Sequence, residues 1–160
     1  MRLLMVCLGN ICRSPMAEGV MRARLEESPL AGRVTFDSVG TGHWHVGHPP
    51  DPRAIATAAR HGVDISGLRG RQLSLDDYYQ FDWMLCADRF NLRAVRALAP
   101  ADARARSALL LDWAGVLPEG EVPDPYTGNH KDFERVWTLL ELAADGAIRR
   151  LRQELEAPPA

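Results

Sequence analysis

Cysteine and lysine are both scarce in this 160-residue sequence. It contains three cysteines, and among its 19 basic residues only Lys131 is a lysine. A sparse, odd number of cysteines argues against a disulfide-stapled secreted domain and favours the reducing cytoplasm. The sequence also lacks the run of about 18 apolar residues that a membrane-spanning helix needs. We therefore expect a cytoplasmic protein that does not bind a membrane.

An excess of charge of one sign is also missing. The formal net charge of −2 at pH 7, with no basic stripe, gives no general attraction to nucleic acid. Hydrophobic residues make up 46% of the sequence, which is ordinary for a globular domain. The length predicts a single domain at residues 1–156, followed by a short Pro/Ala tail at residues 157–160. No apolar stripe is left unpaired, so we expect a monomer.

Short apolar runs alternate with helical patterns along the chain. The runs, each of strand length, lie at residues 3–7, 34–39, 83–87 and 108–111. Helical patterns begin after Ser14 and Asp51, and others lie near residues 74–77 and over residues 91–98 and 131–155. Strands alternating with helices predict an α/β domain whose parallel sheet has helices on both faces.

The first loop has the composition of an anion-binding turn. Cys7 ends the first predicted strand, at the sheet edge where α/β proteins bind ligands. The turn at residues 8–13 follows, and Ser14 is predicted to cap the next helix. Gly9 and Asn10 tolerate the left-handed backbone that a tight turn demands. Inward-pointing N–H groups and the helix N-terminus would together form a cradle for an oxyanion.

Cys7 is predicted to be a reactive thiol at the centre of this cradle. The N–H donors, the helix dipole and Arg13 all favour the thiolate, which is the nucleophilic form. The planar fork of Arg13 can bind two phosphate oxygens at once and stabilise them as phosphorus is attacked. Ser14 can donate its hydroxyl to the sulfur. The sequence therefore predicts a phosphate-binding loop after the first strand.

Several motifs resemble the low-molecular-weight protein tyrosine phosphatases. The two most specific are VCLGNICRSPMAE at residues 6–18 and DPY at residues 124–126. The likeness continues through DSVGTGHWHVGHPPDPRA (37–54), RQL (71–73), FDWMLCAD (81–88) and NLR (91–93). The resemblance implies a four-stranded parallel sheet flanked by helices. It also implies hydrolysis of phosphotyrosine proteins or small aryl phosphates through a cysteinyl-phosphate, without metal or other cofactor.

The resemblance also implies roles for individual residues. Cys7 is similar to the family's nucleophile, Arg13 to its phosphate-binding arginine and Asp124 to its general acid. Because a phenol has a pKa of about 10, a departing tyrosine oxygen is helped by an acid that protonates it. The same carboxylate would then take the proton of the attacking water. Asp124 lies in a Pro- and Gly-rich segment that suits a surface loop.

Other roles are implied by the same resemblance. Residues expected to bind the substrate are Leu8, Gly9, Asn10, Ile11, Cys12 and Ser14 of the loop, with Trp44 and Tyr126 as aromatic walls. Ser38 is expected to support the loop. Cys12 is expected to trap oxidised Cys7 as a reversible disulfide.

Three other functions compete with this interpretation. A protein-arginine phosphatase of the same fold tends to carry Thr where this sequence has Ile11, whose apolar side chain better suits a phenol ring. A thioredoxin-linked arsenate reductase needs a relay of two further cysteines, but Arg93 follows Cys86 where the second would stand. A non-catalytic phosphotyrosine-binding module would be expected to lack one of the three catalytic residues.

Further polar residues are given structural interpretations. His43, His45 and His48 crowd one loop, but their spacing matches no standard metal site, so no metal is expected. Asp88 is interpreted as the cap of the following helix. Glu18 is expected to support the loop rather than to react.

Overall fold

Four parallel strands form the central sheet in the computed structural model, which describes residues 1–156. In sheet order they are β2 (Thr35–Gly40), β1 (Arg2–Cys7), β3 (Trp83–Cys86) and β4 (Arg106–Leu109). The predicted four-stranded parallel sheet is confirmed. The Pro/Ala tail predicted at residues 157–160 lies outside the described residues.

Helices cover both faces of the sheet, as the alternating pattern predicts. They are α1 (Arg13–Glu26), α2 (Pro52–Arg60), α3 (Asp77–Gln80), α4 (Arg89–Leu98), α5 (Leu110–Trp113) and α6 (His130–Glu156). Leu3 and Met5 of β1 pack in one core with α1 and α6, whereas Leu4 and Val6 pack in a second core with α3 and α4. Within residues 1–156, no helix is both long enough and apolar enough to cross a bilayer.

Two predicted boundaries are wrong. The strand predicted at residues 108–111 lies at Arg106–Leu109, and Leu110 begins the short helix α5. An apolar run cannot by itself distinguish a buried strand from a buried helical turn. Ser14 is not the cap of α1, because the helix begins at Arg13 and no side chain caps it. The Ser14 hydroxyl is engaged by Cys7 and Asn10 instead.

Aspartate side chains cap the two helices that flank the site. The Asp51 carboxylate accepts a hydrogen bond from the Arg53 N–H at the start of α2. Asp88 caps α4 by accepting from the Asn91 N–H at 2.9 Å, and the Asn91 side chain accepts in return from the Asp88 N–H. The predicted cap at Asp88 is confirmed, although α4 begins at Arg89 rather than at residue 91.

Candidate active site

The loop after β1 wraps around the Cys7 sulfur, which is buried. The Asn10 N–H donates a hydrogen bond to Cys7 Sγ at 3.3 Å, and Ser14 Oγ lies 3.0 Å from the same atom. Asn10 has a φ of +57°, the left-handed conformation expected in this turn. Gly40 at the end of β2 lets the loop approach, because a Cβ there would lie 2.7 Å from the Leu8 carbonyl oxygen.

Gly9 does not adopt the left-handed backbone that the sequence predicts for it, since only Asn10 in this turn has a positive φ. Its small size matters for a different reason. A Cβ at Gly9 would lie 3.1 Å from Cδ2 of His45, in the loop that faces it. Glycine therefore allows the His45 ring to pack closely against the phosphate-binding loop.

A buried hydrogen-bond network orients the groups beneath the loop. The Asn10 Oδ1 accepts from the Arg71 N–H at 3.0 Å, which turns the Asn10 amide nitrogen toward two serines. This nitrogen donates to Ser14 Oγ at 2.7 Å and to Ser38 Oγ at 3.1 Å. Both serine oxygens therefore act as acceptors here. Their own protons are free to point elsewhere.

The network continues from Ser38 to a buried carboxyl group. The Ser38 hydroxyl donates to Glu18 Oε1 at 2.6 Å, while Arg22 lies 2.6 Å from the other Glu18 oxygen. Burial raises the pKa of Glu18 above its ordinary value, although the Ser38 hydrogen bond and the Arg22 charge oppose the rise. Glu18 and Ser38 thus contact the loop network from below, at the position expected of supporting residues.

The Ser14 proton is left for the Cys7 sulfur at 3.0 Å or for the Val39 carbonyl at 3.3 Å. A hydroxyl that donates to sulfur favours the thiolate over the thiol. The network beneath the loop therefore leaves the Ser14 hydroxyl able to donate to Cys7 Sγ, in addition to the Asn10 N–H.

Arg13 lies in the first turn of α1 with only 4% of its side chain exposed. Its Nη1 donates to Asp88 Oδ2 at 2.7 Å and to the Val122 carbonyl at 2.9 Å. Burial alone would lower the pKa of Arg13, but the negative charges of Cys7 and Asp88 outweigh it and raise the pKa. Arg13 is therefore held as a rigid cation beside the Cys7 sulfur.

Asp124 lies in the loop between α5 and α6, and its side chain is 49% exposed. One carboxylate oxygen, Oδ1, accepts from the Tyr126 N–H at 3.1 Å. The other, Oδ2, lies 3.7 Å from Arg13 Nη2. The structure thus brings the predicted acid to the predicted phosphate-binding arginine, from elements more than 100 residues apart.

These groups meet in one pocket of about 150 Å³ that opens to solvent. The site residues predicted from the sequence that line this pocket are Cys7, Leu8, Gly9, Ile11, Cys12, Arg13, Trp44, Asp124 and Tyr126. The side chains of two other residues predicted to bind substrate, Asn10 and Ser14, are buried beneath the loop and hydrogen-bonded to each other instead.

Comparison with known proteins shows the family. A model of the low molecular weight phosphotyrosine protein phosphatases matches residues 2–157. The chain belongs to this family. It is 40% identical over 158 residues to the low molecular weight protein-tyrosine-phosphatase of Streptomyces coelicolor, covering 97% of this chain and 96% of that protein. It is 36% identical to YfkJ of Bacillus subtilis, covering 94% and 96%.

Solved structures of tyrosine phosphatases share the fold of this phosphatase. The enzyme of Entamoeba histolytica, with Hepes in its active site, has a TM-score of 0.90 at 33% identity and covers 97% of this chain and 99% of its own. Wzb of Vibrio vulnificus, in complex with benzylphosphonate, has a TM-score of 0.81 at 29% identity and covers 93% and 97%. The resemblance noted from the motifs, and the low-molecular-weight phosphatase fold that it implies, are confirmed.

The mouth of the phosphatase pocket contains one residue that sequence reasoning missed. His45 lines the pocket beside Trp44, and its ring lies 5.8 Å from that of His48. Trp44 is 59% exposed and stacks on His43, while Tyr126 is 50% exposed at the same pocket. Proximity to Trp44 in the chain was the only available signal for His45, since its ring reaches the pocket through packing on Gly9.

Asp88 was only partly understood from sequence. Its Oδ1 caps α4, as predicted, but its Oδ2 is the ion-pair partner of Arg13. The signal was its position, because Asp88 follows β3 and the carboxyl ends of β1 and β3 meet at one sheet edge.

The other two cysteines of the phosphatase are buried free thiols. Burial, followed by the negative charges of Asp51 and Cys7, raises the pKa of Cys12 far above its ordinary value. Burial likewise raises the pKa of Cys86 to about 12. Cys86 lies in the core of β3, as predicted. Both groups are therefore neutral thiols near pH 7.

Proposed function

We propose that Cys7, Arg13 and Asp124 together hydrolyse phosphotyrosine and aryl phosphate monoesters. The observation that carries the proposal is their convergence on one pocket, where the Asn10 N–H donates to Cys7 Sγ and Asp124 Oδ2 lies 3.7 Å from Arg13 Nη2. A nucleophile, a phosphate-binding cation and a proton donor are the three groups that this reaction needs.

In the first step, the Cys7 thiolate attacks phosphorus. A sulfur–phosphorus bond forms and the bond from phosphorus to the phenolic oxygen breaks. Asp124, as the carboxylic acid, donates its proton to the departing oxygen. Because Arg13 Nη1 is already bonded to Asp88 and Val122, the opposite edge of the guanidinium faces the transferring phosphoryl oxygens and stabilises their charge.

In the second step, water attacks the phosphorus of the cysteinyl-phosphate. The Asp124 carboxylate takes a proton from this water, the sulfur–phosphorus bond breaks, and inorganic phosphate leaves. Ser14 Oγ and the Asn10 N–H, which both lie against the sulfur, stabilise the departing thiolate. The cycle returns Asp124 to its protonated form.

Aromatic and apolar side chains above the loop favour a substrate with a ring. Trp44 and Tyr126 are exposed at the pocket mouth. Ile11 contributes an apolar surface from within the nucleophile loop, which is the phosphate-binding loop at residues 8–13. The complex of Vibrio vulnificus Wzb with benzylphosphonate supports the same preference in this chain. These features favour phosphotyrosine over phosphoserine. They also favour it over phosphoarginine, the substrate of the alternative protein-arginine phosphatase.

The remaining alternatives receive less support. Cys86, the one candidate for a reductase relay, is fully buried in β3 and faces away from the pocket. A silent binding module is disfavoured because all three proposed catalytic residues are present in one pocket. We also propose that the enzyme acts in the cytoplasm as a monomer on phosphotyrosine proteins, which size-exclusion chromatography and cell fractionation test.

The test of the proposed function compares peptides containing phosphotyrosine, phosphoserine and phosphoarginine. We expect phosphate release chiefly from phosphotyrosine, and abolished release in Cys7→Ala. Cys86→Ala is the matched control, because it also removes a buried thiol but lies outside the pocket. Equal activity of Cys7→Ala and wild type would contradict the nucleophile, while a preference for phosphoarginine would favour the alternative substrate.

A further inference from the structure

Arg53, in the first turn of α2, joins two loops that meet at the pocket. Its Nε and Nη2 donate to the two carboxylate oxygens of Asp51 at 3.0 and 2.9 Å. Nη2 also donates to the Tyr126 carbonyl at 2.9 Å, and Nη1 donates to the Gly128 carbonyl at 3.1 Å. One guanidinium is therefore bonded both to the start of α2 and to the loop at residues 124–128.

Two aromatic rings lie against the same guanidinium. Its central carbon lies 4.6 Å from the centroid of Phe133, which is fully buried in α6, and 5.6 Å from the centroid of Tyr126. Contacts of this kind between a cation and a ring are attractive. The hydrogen bonds from Arg53 hold the pKa of Asp51 below its usual range, so the ion pair stays charged near neutral pH.

The contacts of Arg53 extend in one direction to the nucleophile loop. The Asp51 N–H donates to the carbonyl of Ile11 at 2.8 Å, and Asp51 itself is nearly buried. Since Asp51 is also the partner of the guanidinium, Arg53 is connected to the loop that surrounds Cys7 through a single residue.

In the other direction, the contacts reach Asp124. Both backbone polar groups of Tyr126 form hydrogen bonds. Its carbonyl accepts from Arg53, and its N–H donates to Asp124 Oδ1 at 3.1 Å. The other oxygen of this half-exposed carboxylate, Oδ2, lies 3.7 Å from Arg13 Nη2, so the Tyr126 N–H is the shorter of the two contacts that direct it. The position of the Tyr126 backbone therefore helps to decide where Asp124 points.

We propose that Arg53 is a positioning residue that fixes the acid loop, residues 124–128, against the nucleophile loop and so directs Asp124 at the leaving group. The inference rests on the proposed role of Asp124 as the general acid. Without Arg53, the acid would be present but misdirected. The loss of activity should therefore grow as the leaving group becomes more basic.

The experiment compares phenyl phosphate with 4-nitrophenyl phosphate, whose leaving group needs little protonation. We expect Arg53→Met to lower kcat/KM, which reports the first step, by about 10- to 100-fold for phenyl phosphate, the range that a small misplacement of a catalytic group can cost. kcat/KM for 4-nitrophenyl phosphate should fall much less, because its first step needs little help from the acid. Arg53→Lys keeps the charge but loses the planar fork, so it should rescue the phenyl phosphate rate only partly.

Arg60→Met is the matched control on the same helix. Arg60 forms a comparable ion pair with Glu134 of α6 at 2.8 Å, but it contacts neither loop of the pocket. We expect its leaving-group dependence to equal that of wild type. If Arg53→Met does not fold, Arg53→Lys carries the test, and a wild-type leaving-group dependence in Arg53→Lys would overturn the proposal.

A double variant separates this inference from the proposed function. If Arg53 acts through Asp124, Arg53→Met should cost little further phenyl phosphate activity in an Asp124→Ala background. A full, additive loss in that background, with Asp124→Ala itself impaired on phenyl phosphate, would overturn the inference and leave the proposed function intact. An unimpaired Asp124→Ala enzyme would overturn both.

Discussion

One carboxylate oxygen of Asp88 accepts from the Arg13 guanidinium at 2.7 Å, while the other caps α4. A single residue at the end of β3 therefore orders both the phosphate-binding cation and the neighbouring helix. The consequence is that the phosphate site and the stability of the fold depend on the same side chain.

We predict that Asp88→Asn will impair both phosphate binding and fold stability. The single amide oxygen of Asn can take the place of only one carboxylate oxygen, so either Arg13 or the Asn91 N–H loses its acceptor. The free energy of unfolding should fall by about 1–3 kcal/mol, the typical cost of leaving a buried polar group without its partner. kcat/KM should fall to a similar extent for good and poor leaving groups, since Arg13 binds phosphate in both cases. Urea unfolding and aryl phosphate kinetics measure these effects.

Asp102→Asn is the control for this variant, because Asp102 is exposed and, within residues 1–156, accepts only from the Tyr79 hydroxyl. It should change neither property. A stable Asp88→Asn enzyme with unchanged kcat/KM would show that the Arg13–Asp88 pair does not organise the phosphate site.

We predict that Asp124→Ala will slow phosphotyrosine and phenyl phosphate turnover by about 10²–10⁴-fold, the usual contribution of general acid–base catalysis. Release of nitrophenolate should be much less affected in the first step, because this leaving group departs without a proton. Asp145→Ala serves as the control, because Asp145 lies on α6 in an exposed ion pair with Arg24 of α1. Equal losses of kcat/KM, which reports the first step, on both substrates would mean that Asp124 does not act as the acid.

The raised pKa of Glu18 predicts a pH-dependent stability. Because burial raises this pKa above the unfolded value of about 4.3, ionisation of Glu18 opposes folding. The stability of wild type relative to Glu18→Gln should therefore be greatest below about pH 4.3 and should fall as the pH rises above it. Thermal unfolding of the two proteins from pH 4 to pH 8 measures the difference.

The glutamine side chain can still accept from Ser38, so the comparison isolates the charge of Glu18. Glu154→Gln, at an exposed pair with Arg150, should show no comparable trend. A relative stability of wild type that rises with pH would contradict the assigned direction of the Glu18 pKa.

We predict that mild peroxide inactivates the enzyme reversibly through a Cys7–Cys12 disulfide. Peroxide converts the Cys7 thiolate to a sulfenic acid, which Cys12 attacks to form the disulfide with loss of water. Since the pKa of Cys12 is raised by burial, its thiolate fraction and the rate of disulfide closure should keep increasing above pH 9. Recovery of activity with dithiothreitol and mass spectrometry follow the reaction.

Cys12→Ala should remove this protection and leave irreversible sulfinic acid at Cys7, whereas Cys86→Ala should behave as wild type. Irreversible oxidation of Cys7 in the wild-type enzyme, with no disulfide, would rule out the redox role of Cys12.

The parallel sheet and the nucleophile loop could be predicted because their signals are local. The strand that ends at Cys7 is apolar from Leu3 onward, and the loop residues up to Arg13 follow it directly in sequence. α5 could not be predicted, because its apolar residues continue the pattern of β4 without a break. Local patterns report burial more reliably than they report backbone conformation.

The contacts that complete the site join segments that are distant in sequence. Their signals in the sequence are therefore weaker than those of the sheet and the first loop. The pairing of Arg13 with Asp88, the packing of His45 on Gly9 and the bonds from Arg53 to the acid loop depend on tertiary structure. Ser14 resembles a helix cap in sequence, but it is drawn away from that role by Cys7 and Asn10. Here the chemistry of the site overrides a local preference.

Trapping of a cysteinyl-phosphate tests the proposed mechanism most directly. Asp124→Ala with 4-nitrophenyl phosphate should form the intermediate readily but break it down slowly, because the base for the attacking water is missing. We predict a burst of one nitrophenolate per enzyme and, after a neutral denaturing quench, a phosphoryl group on Cys7 by mass spectrometry. No burst and no phosphoryl group on Cys7, while phosphate is still released, would contradict Cys7 as the nucleophile.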